Sequence, residues 1–106
     1  MTRRFRLGVI GFAHMHVNEL VDRLRATGRC DLVAVADTVP AVPSRIAVEG
    51  SRGANLARAL ATPEAPRPFA DWRAMLAEVP LYIAIFCPEI AQHVAVAEAL
   101  AARGIH

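Results

Sequence analysis

A short apolar run, Leu7-Gly8-Val9-Ile10, lies close to the N-terminus and breaks at Gly11. Behind it Val17, Leu20, Val21 and Leu24 recur at helical spacing, with Glu19, Asp22, Arg23 and Arg25 off that face. A second apolar run, residues 32–36, closes on Asp37, and a third, residues 81–87, is stopped by Pro88. Strands that read as near-continuous apolar runs are covered on both faces, which is the habit of parallel sheets. Strand, helix and strand in alternation imply right-handed crossovers with helices on both sides of the sheet. The expectation is one α/β domain over residues 1–106, built in three layers around a parallel sheet of order 3-2-1-4.

The remaining elements follow from punctuation. Gly28 is the stop signal of the first helix. Pro40, Pro43, Gly50 and Gly53 make residues 38–53 a loop, with one helical turn expected near 44–48. Residues 54–61 read as a helix. Pro63, Pro66 and Pro68 force extended chain, and residues 67–69 fit a short edge strand, where proline is tolerable. Asp71 is a candidate N-cap for a helix whose inner face is Trp72, Met75 and Leu76. A fourth helix is expected from about residue 90 to 102, with Val94, Ala97, Leu100 and Ala101 on one side and Gly104 as its cap. Ile105 and His106 read as the opening of another strand.

Composition removes several classes of function. The net charge is only +2, all 12 basic residues are Arg, and they are scattered rather than striped, which argues against nucleic acid. The run at 81–87 is far too short to span a bilayer. Arg3, Arg4 and Arg6 precede only four residues before Gly11, so the N-terminus is a strand and not a signal peptide. A cytoplasmic protein without membrane contact is expected. Cys30 and Cys87 have neither metal-ligand spacing nor a disulfide framework and read as reduced thiols. His14 and His16, with His93 as a third ligand, are the candidates for a metal site; His-x-His is a common spacing, and no metal is expected.

The turn after the first strand carries the chemistry. Gly11, Ala13 and His16 stand at the three positions of a Gly-x-Gly-x-x-Gly phosphate turn. The first glycine allows the tight turn, the second lets backbone approach a pyrophosphate, and the third lets helix and strand pack closely. Only the first is kept. A carboxylate at the end of the second strand, Asp37, accepts both hydroxyls of an adenosine ribose and repels a 2′-phosphate, and Thr38 supplies no compensating cation. The layout is that of a dinucleotide site, with NAD favoured over NADP.

Four segments together resemble the N-terminal domain of the Gfo/Idh/MocA oxidoreductases, in order and over the whole chain. They are Gly8-Val9-Ile10-Gly11-Phe12-Ala13-His14; Val33-Ala34-Val35-Ala36-Asp37; Phe69-Ala70-Asp71-Trp72-Arg73-Ala74-Met75-Leu76; and Ile85-Phe86-Cys87-Pro88-Glu89-Ile90-Ala91-Gln92-His93 with Ala99-Leu100-Ala101-Ala102-Arg103-Gly104-Ile105-His106. The resemblance implies a Rossmann-like fold and a cofactor site made of Gly11, Phe12, Ala13, His14, Met15, His16, Asp37, Thr38, Cys87, Pro88, Glu89 and His93. It implies hydride transfer to or from a sugar, inositol or polyol in the parent reaction. Glu89 stands where that family has Asn, Cys87 where Thr is common, and Leu81 where Asp is usual. The family's lysine, in a Glu-Lys-Pro motif, has no counterpart here, because the sequence contains no Lys. The chain is therefore expected to bind cofactor without catalysing turnover. The competing expectation is a non-catalytic Rossmann module for ligand sensing or protein interaction. Self-association is expected through the apolar edge of the fourth strand, or through the family's second domain.

Overall fold

Four strands, all parallel, form one sheet in the order β3-β2-β1-β4 among the described residues. The structure is a computed structural model and describes residues 4–14, 16–38, 52–88 and 90–106. In chain order the elements are β1 (Phe5–Phe12), α1 (Val17–Ala26), β2 (Cys30–Ala36), α2 (Arg52–Leu60), β3 (Arg67–Phe69), α3 (Trp72–Glu78), β4 (Ile83–Cys87), a 3-10 turn (Ile90–Gln92) and α4 (His93–Ala102). Fold class and strand order are those read from the sequence. The helical turn expected near residues 44–48 lies outside the described residues.

Two register breaks fit this sheet to its two cores. Leu7 and Val9 face one core and Ile10 the other, as the two-residue period of a strand requires. Phe12 then returns to the face of Leu7 and Val9, which strict alternation forbids; the pairing with β4 shifts register between Ile10 and Phe12, around Gly11. In β2 the partner of Leu7 is Leu32 and that of Gly8 is Ala34, so Val33 is the extra residue. Cys30 and Leu32 thus share a core with Val35, while Ala34 and Ala36 face the opposite one.

The first core packs Val17 and Val21 of α1 and Ala59 of α2 against Leu7, Val9, Phe12, Leu32 and Val35. The second packs Trp72, Met75 and Leu76 of α3 and Val96 and Leu100 of α4 against Ile10, Ala34 and Ala36. Burying each such Val or Leu side chain is worth about 1.5–3 kcal/mol, so these two layers supply the main stabilisation. Asp71 is the N-cap of α3, its Oδ1 accepting the Arg73 N–H at 2.9 Å, as the sequence indicated. Gly28 and Gly104 follow α1 and α4 at positive φ.

The inner faces of two helices differ from the expectation. On α1, Leu20 is 45% exposed, and the buried arc turns instead toward Asn18, which is 3% exposed. That side faces α2, whose Arg58 pairs with Asp22. On α4, Val94 is 67% exposed and Ala97 and Ala101 are exposed, while Val96 and Leu100 are buried. Apolar residues occur all round α4, so spacing alone did not select its inner side. The fourth strand also starts two residues later than expected, at Ile83.

The outer side of β4 is partly occupied. His106 donates its N–H to the Tyr82 carbonyl at 3.0 Å, and its own carbonyl accepts the Ala84 N–H at 2.7 Å. These two bonds are those of a parallel strand beginning beside β4, as read for Ile105 and His106.

Candidate functional site

The sheet order reverses between β1 and β4, because β2 and β3 lie on one side of β1 and β4 on the other. In an open parallel sheet the crevice outside the carboxyl ends of two such strands is where ligands bind. Here those ends are Phe12 and Cys87, with Asp37 directly after β2.

Gly11 shapes the crevice. Its φ is +86°, and a Cβ built on it would lie 2.6 Å from both N and Cα of Pro88. Positive φ and backbone contact both demand glycine at this point. The close approach lets the Ala13 N–H donate to the Cys87 carbonyl at 2.9 Å, joining the turn after β1 to the end of β4.

Three elements converge on the turn. Asp37 comes from the end of β2, and its Oδ1 accepts the Phe12 N–H at 3.2 Å and the Thr38 N–H at 2.8 Å. Cys87 contributes its carbonyl from β4. Asn55 comes from α2: its Nδ2 donates to the Phe12 carbonyl and to the His14 carbonyl, each at 3.1 Å. Asn55 is 5% exposed, and its main-chain carbonyl accepts from Nδ2 of Asn18 on α1 at 2.9 Å. The His14 carbonyl also accepts the Val17 N–H at 3.2 Å, which starts α1.

The two histidines stand exposed at the head of α1. His14 Nδ1 accepts the His16 N–H at 3.1 Å, the rings are 5.2 Å apart, and His16 Nδ1 lies 3.1 Å from Glu19 Oε1. His16 is the N-cap residue of α1, but its side chain makes no capping bond. His16 stands at the third glycine position, and its ring is carried outward, into solvent. Among the described residues no group of three His, Cys, Asp or Glu side chains is arranged to hold a metal ion.

Of the sequence-predicted residues, Gly11, Phe12, Ala13, His14, His16, Asp37, Thr38, Cys87 and Pro88 come together at this end of the sheet. Cys87 is half-buried and unbridged, and burial pushes its thiol pKa up, so the thiol form is favoured. His93 opens α4 with its ring edge-on to Phe86 at 5.7 Å. Met15 and Glu89 lie outside the described residues. Asn55 was missed. Its one signal in the sequence is a polar residue on the inward stripe of a short helix, beside Leu56 and Ala59.

No helix of the described residues is long and apolar enough to cross a membrane. No family model matches the chain, and no curated protein matches it. Among solved structures, the crystal structure of the WlbA dehydrogenase from Bordetella pertussis in complex with NADH and UDP-GlcNAcA is similar over 100% of this chain, with a TM-score of 0.69 and 25% identity. This chain spans 28% of the length of that dehydrogenase chain. The chain therefore has a Rossmann-like α/β fold, shared with part of that dehydrogenase.

Proposed function

We propose that this chain is the nucleotide-binding part of an NAD-dependent oxidoreductase of the Gfo/Idh/MocA kind. The observation that carries the reading is the turn itself. Gly11 is fixed at positive φ against Pro88, directly beside Asp37, at the switch point of a parallel sheet. The described residues fit a dinucleotide: a backbone turn and the head of α1 for the pyrophosphate, and a carboxylate one strand away for ribose hydroxyls. When bound, the nicotinamide supplies hydride chemistry; the protein's part is to hold and orient it.

Asp37 is assigned to the adenosine ribose. Its negative charge favours NAD over NADP, with no cation at Thr38 to receive a 2′-phosphate. His14 and His16 flank the pyrophosphate path; Cys87, Pro88, Glu89 and His93 are assigned to the nicotinamide half. The similar dehydrogenase was solved with a nucleotide sugar as well as NADH, which favours a sugar or related polyol as the substrate class of the parent protein. We assign the protein to the cytoplasm.

Titration with NAD, followed by the backbone amide shifts of Phe12, Ala13, His14 and His16, tests the reading. Saturable shifts confined to this turn and to Asp37–Thr38 are expected at millimolar NAD or below, with weaker binding of NADP. A folded chain whose turn amides do not move at 10 mM NAD (on the order of the weakest affinity worth assigning) refutes it. One observation favours the second reading, a non-catalytic module: Ala13 and His16 stand where glycines are usual. That reading requires an unmoved turn together with specific self-association on a sizing column.

A further inference from the structure

We propose that Asn55 is the positioning residue of the dinucleotide turn: it holds the carbonyls of Phe12 and His14 on the α2 side, so that neither carbonyl oxygen is turned toward a pyrophosphate. The inference rests on the NAD reading above and deepens it, by naming what keeps a turn poor in glycine in a binding shape.

A side-chain amide has two N–H donors on one nitrogen. Both of Asn55's are directed at carbonyls of the same turn, two residues apart in sequence and each 3.1 Å away. In a trans peptide the carbonyl and the following N–H point in opposite directions, and the described chain has no cis peptide bonds. The Phe12 carbonyl faces Asn55, and the Ala13 N–H of the same peptide accordingly faces away, to the Cys87 carbonyl. A rotated peptide would put a carbonyl oxygen toward the ligand, where it repels a phosphate oxygen. Glycines let such a turn adopt the backbone conformation a phosphate needs at no steric cost; with Ala13 and His16 in two of these places, Asn55 holds the peptide orientation from outside.

The arrangement is buried. Asn55 is 5% exposed and Asn18, which ties α1 to the Asn55 main chain, is 3% exposed; they are the buried polar side chains among the described residues. A buried amide without partners is costly, so a pair of this kind in an otherwise apolar layer marks a place where orientation matters. Asn55 touches the turn and not the ligand, and its effect is on affinity through preorganisation.

The test compares NAD affinity, read from the turn amide shifts, with thermal stability in the full chain. Asn55→Ala is expected to weaken NAD binding roughly 10-fold or more, with the helical and strand signals of the fold retained. Val96→Ala, a cavity in the core on the opposite side of the sheet, is expected to lower Tm while leaving affinity within about threefold. Should Asn55→Ala unfold the chain, Asn55→Gln keeps the donors but moves them by one methylene, and the same weakening is expected in smaller measure. Binding by Asn55→Ala, or by Asn55→Gln where it is the variant read, within about twofold of the original overturns the inference, as does an equal loss in Val96→Ala. A wild-type turn that does not respond to NAD at all overturns the functional reading and this inference with it, an outcome distinct from a variant that binds as well as the original.

Discussion

The two ends of the parallel sheet are closed by different means. At the carboxyl end the turn after β1 is joined to its surroundings through its backbone. Phe12 N–H, Phe12 C=O, Ala13 N–H and His14 C=O each meet a partner from β2, α2 or β4. At the amino end, exposed and half-buried side chains add to main-chain bonds such as Phe5 N–H to Arg29 and Tyr82 N–H to Arg6. Arg4 donates through Nε and one terminal nitrogen to both oxygens of Asp31, and through the other to the Gly28 carbonyl; Arg25 grips both oxygens of Glu64. Tyr82 lies between the rings of Phe5, at 4.3 Å, and His106, at 5.0 Å. Long charged and aromatic side chains adjust by rotamer; a backbone turn wedged against another backbone cannot. The carboxyl end should therefore respond to small substitutions far more sharply than the amino end.

The sharpest way to break this contrast is Gly11→Ala. The added methyl sits 2.6 Å from the Pro88 backbone and the residue must keep φ near +86°. The left-handed cost is about 1–2 kcal/mol and overpacking adds about 1–3 kcal/mol. A loss of about 3 kcal/mol or more in urea unfolding is expected, with loss of whatever affinity the turn has for NAD. Gly28→Ala serves as the comparison: φ is +71°, but nothing lies within 4 Å of the new methyl, so only the conformational cost of about 1–2 kcal/mol should appear. Equal losses at the two glycines would show that the Pro88 contact contributes nothing.

That contrast also separates what the sequence shows from what it hides. The N-cap at Asp71 and the glycine stops after α1 and α4 were legible because each is written in local pattern, apolar runs, caps and punctuation; the strand order and the meeting of Gly11 with Asp37 were legible only through the known layout of a Rossmann-like βαβ unit. Asn55 was not, because its partners are carbonyls brought within reach only when α2 docks beside α1. Leu20 and Val94 misled for a related reason. α4 is apolar all round, so its inward side is left to its neighbours; on α1 it is docking beside α2 that buries Asn18 instead of Leu20. The shift in β1 at Gly11, which returns Phe12 to the core of Leu7 and Val9, is likewise a property of the paired sheet and not of the strand alone.

Acid should act on the amino end. The Arg25 guanidinium, hydrogen-bonded to Glu64, holds that carboxyl below its usual range against the opposing effect of burial; the Leu32 N–H at 3.4 Å adds to the same direction. Arg4 does the same for Asp31. A carboxyl whose pKa is lower in the folded chain than in the unfolded one adds stability above its unfolded pKa, near 4.3 for Glu, and that stability is lost as pH falls through the folded value. Unfolding free energy should thus be level at neutral pH and decline below about pH 5. Glu64→Gln should cost about 1 kcal/mol at pH 7, since the pair is only partly buried and solvent screens it, and should flatten part of the acid decline. An unchanged pH slope in Glu64→Gln would remove Glu64 from the account of the amino end.

The aromatic stack should give the smallest effect, and its smallness is the point of the measurement. Tyr82 is 42% exposed and its ring meets Phe5 on one side and His106 on the other, with the Arg29 guanidinium 5.4 Å from the Phe5 ring centre. Stacked pairs are worth about 0.5–1.5 kcal/mol beyond area burial, and exposure brings this one toward the lower figure. Tyr82→Leu keeps an apolar body over Phe5 and preserves the main-chain bonds from His106 N–H to Tyr82 and from Ala84 N–H to His106. A loss under about 1 kcal/mol is expected in urea unfolding. A loss comparable to that of Gly11→Ala would mean that the amino end is held as rigidly as the turn, and that the outer pairing of His106 beside β4 depends on the ring between them. The backbone argument predicts the reverse: two main-chain bonds suffice to seat the chain after α4 against the sheet, and the stack merely covers them from water.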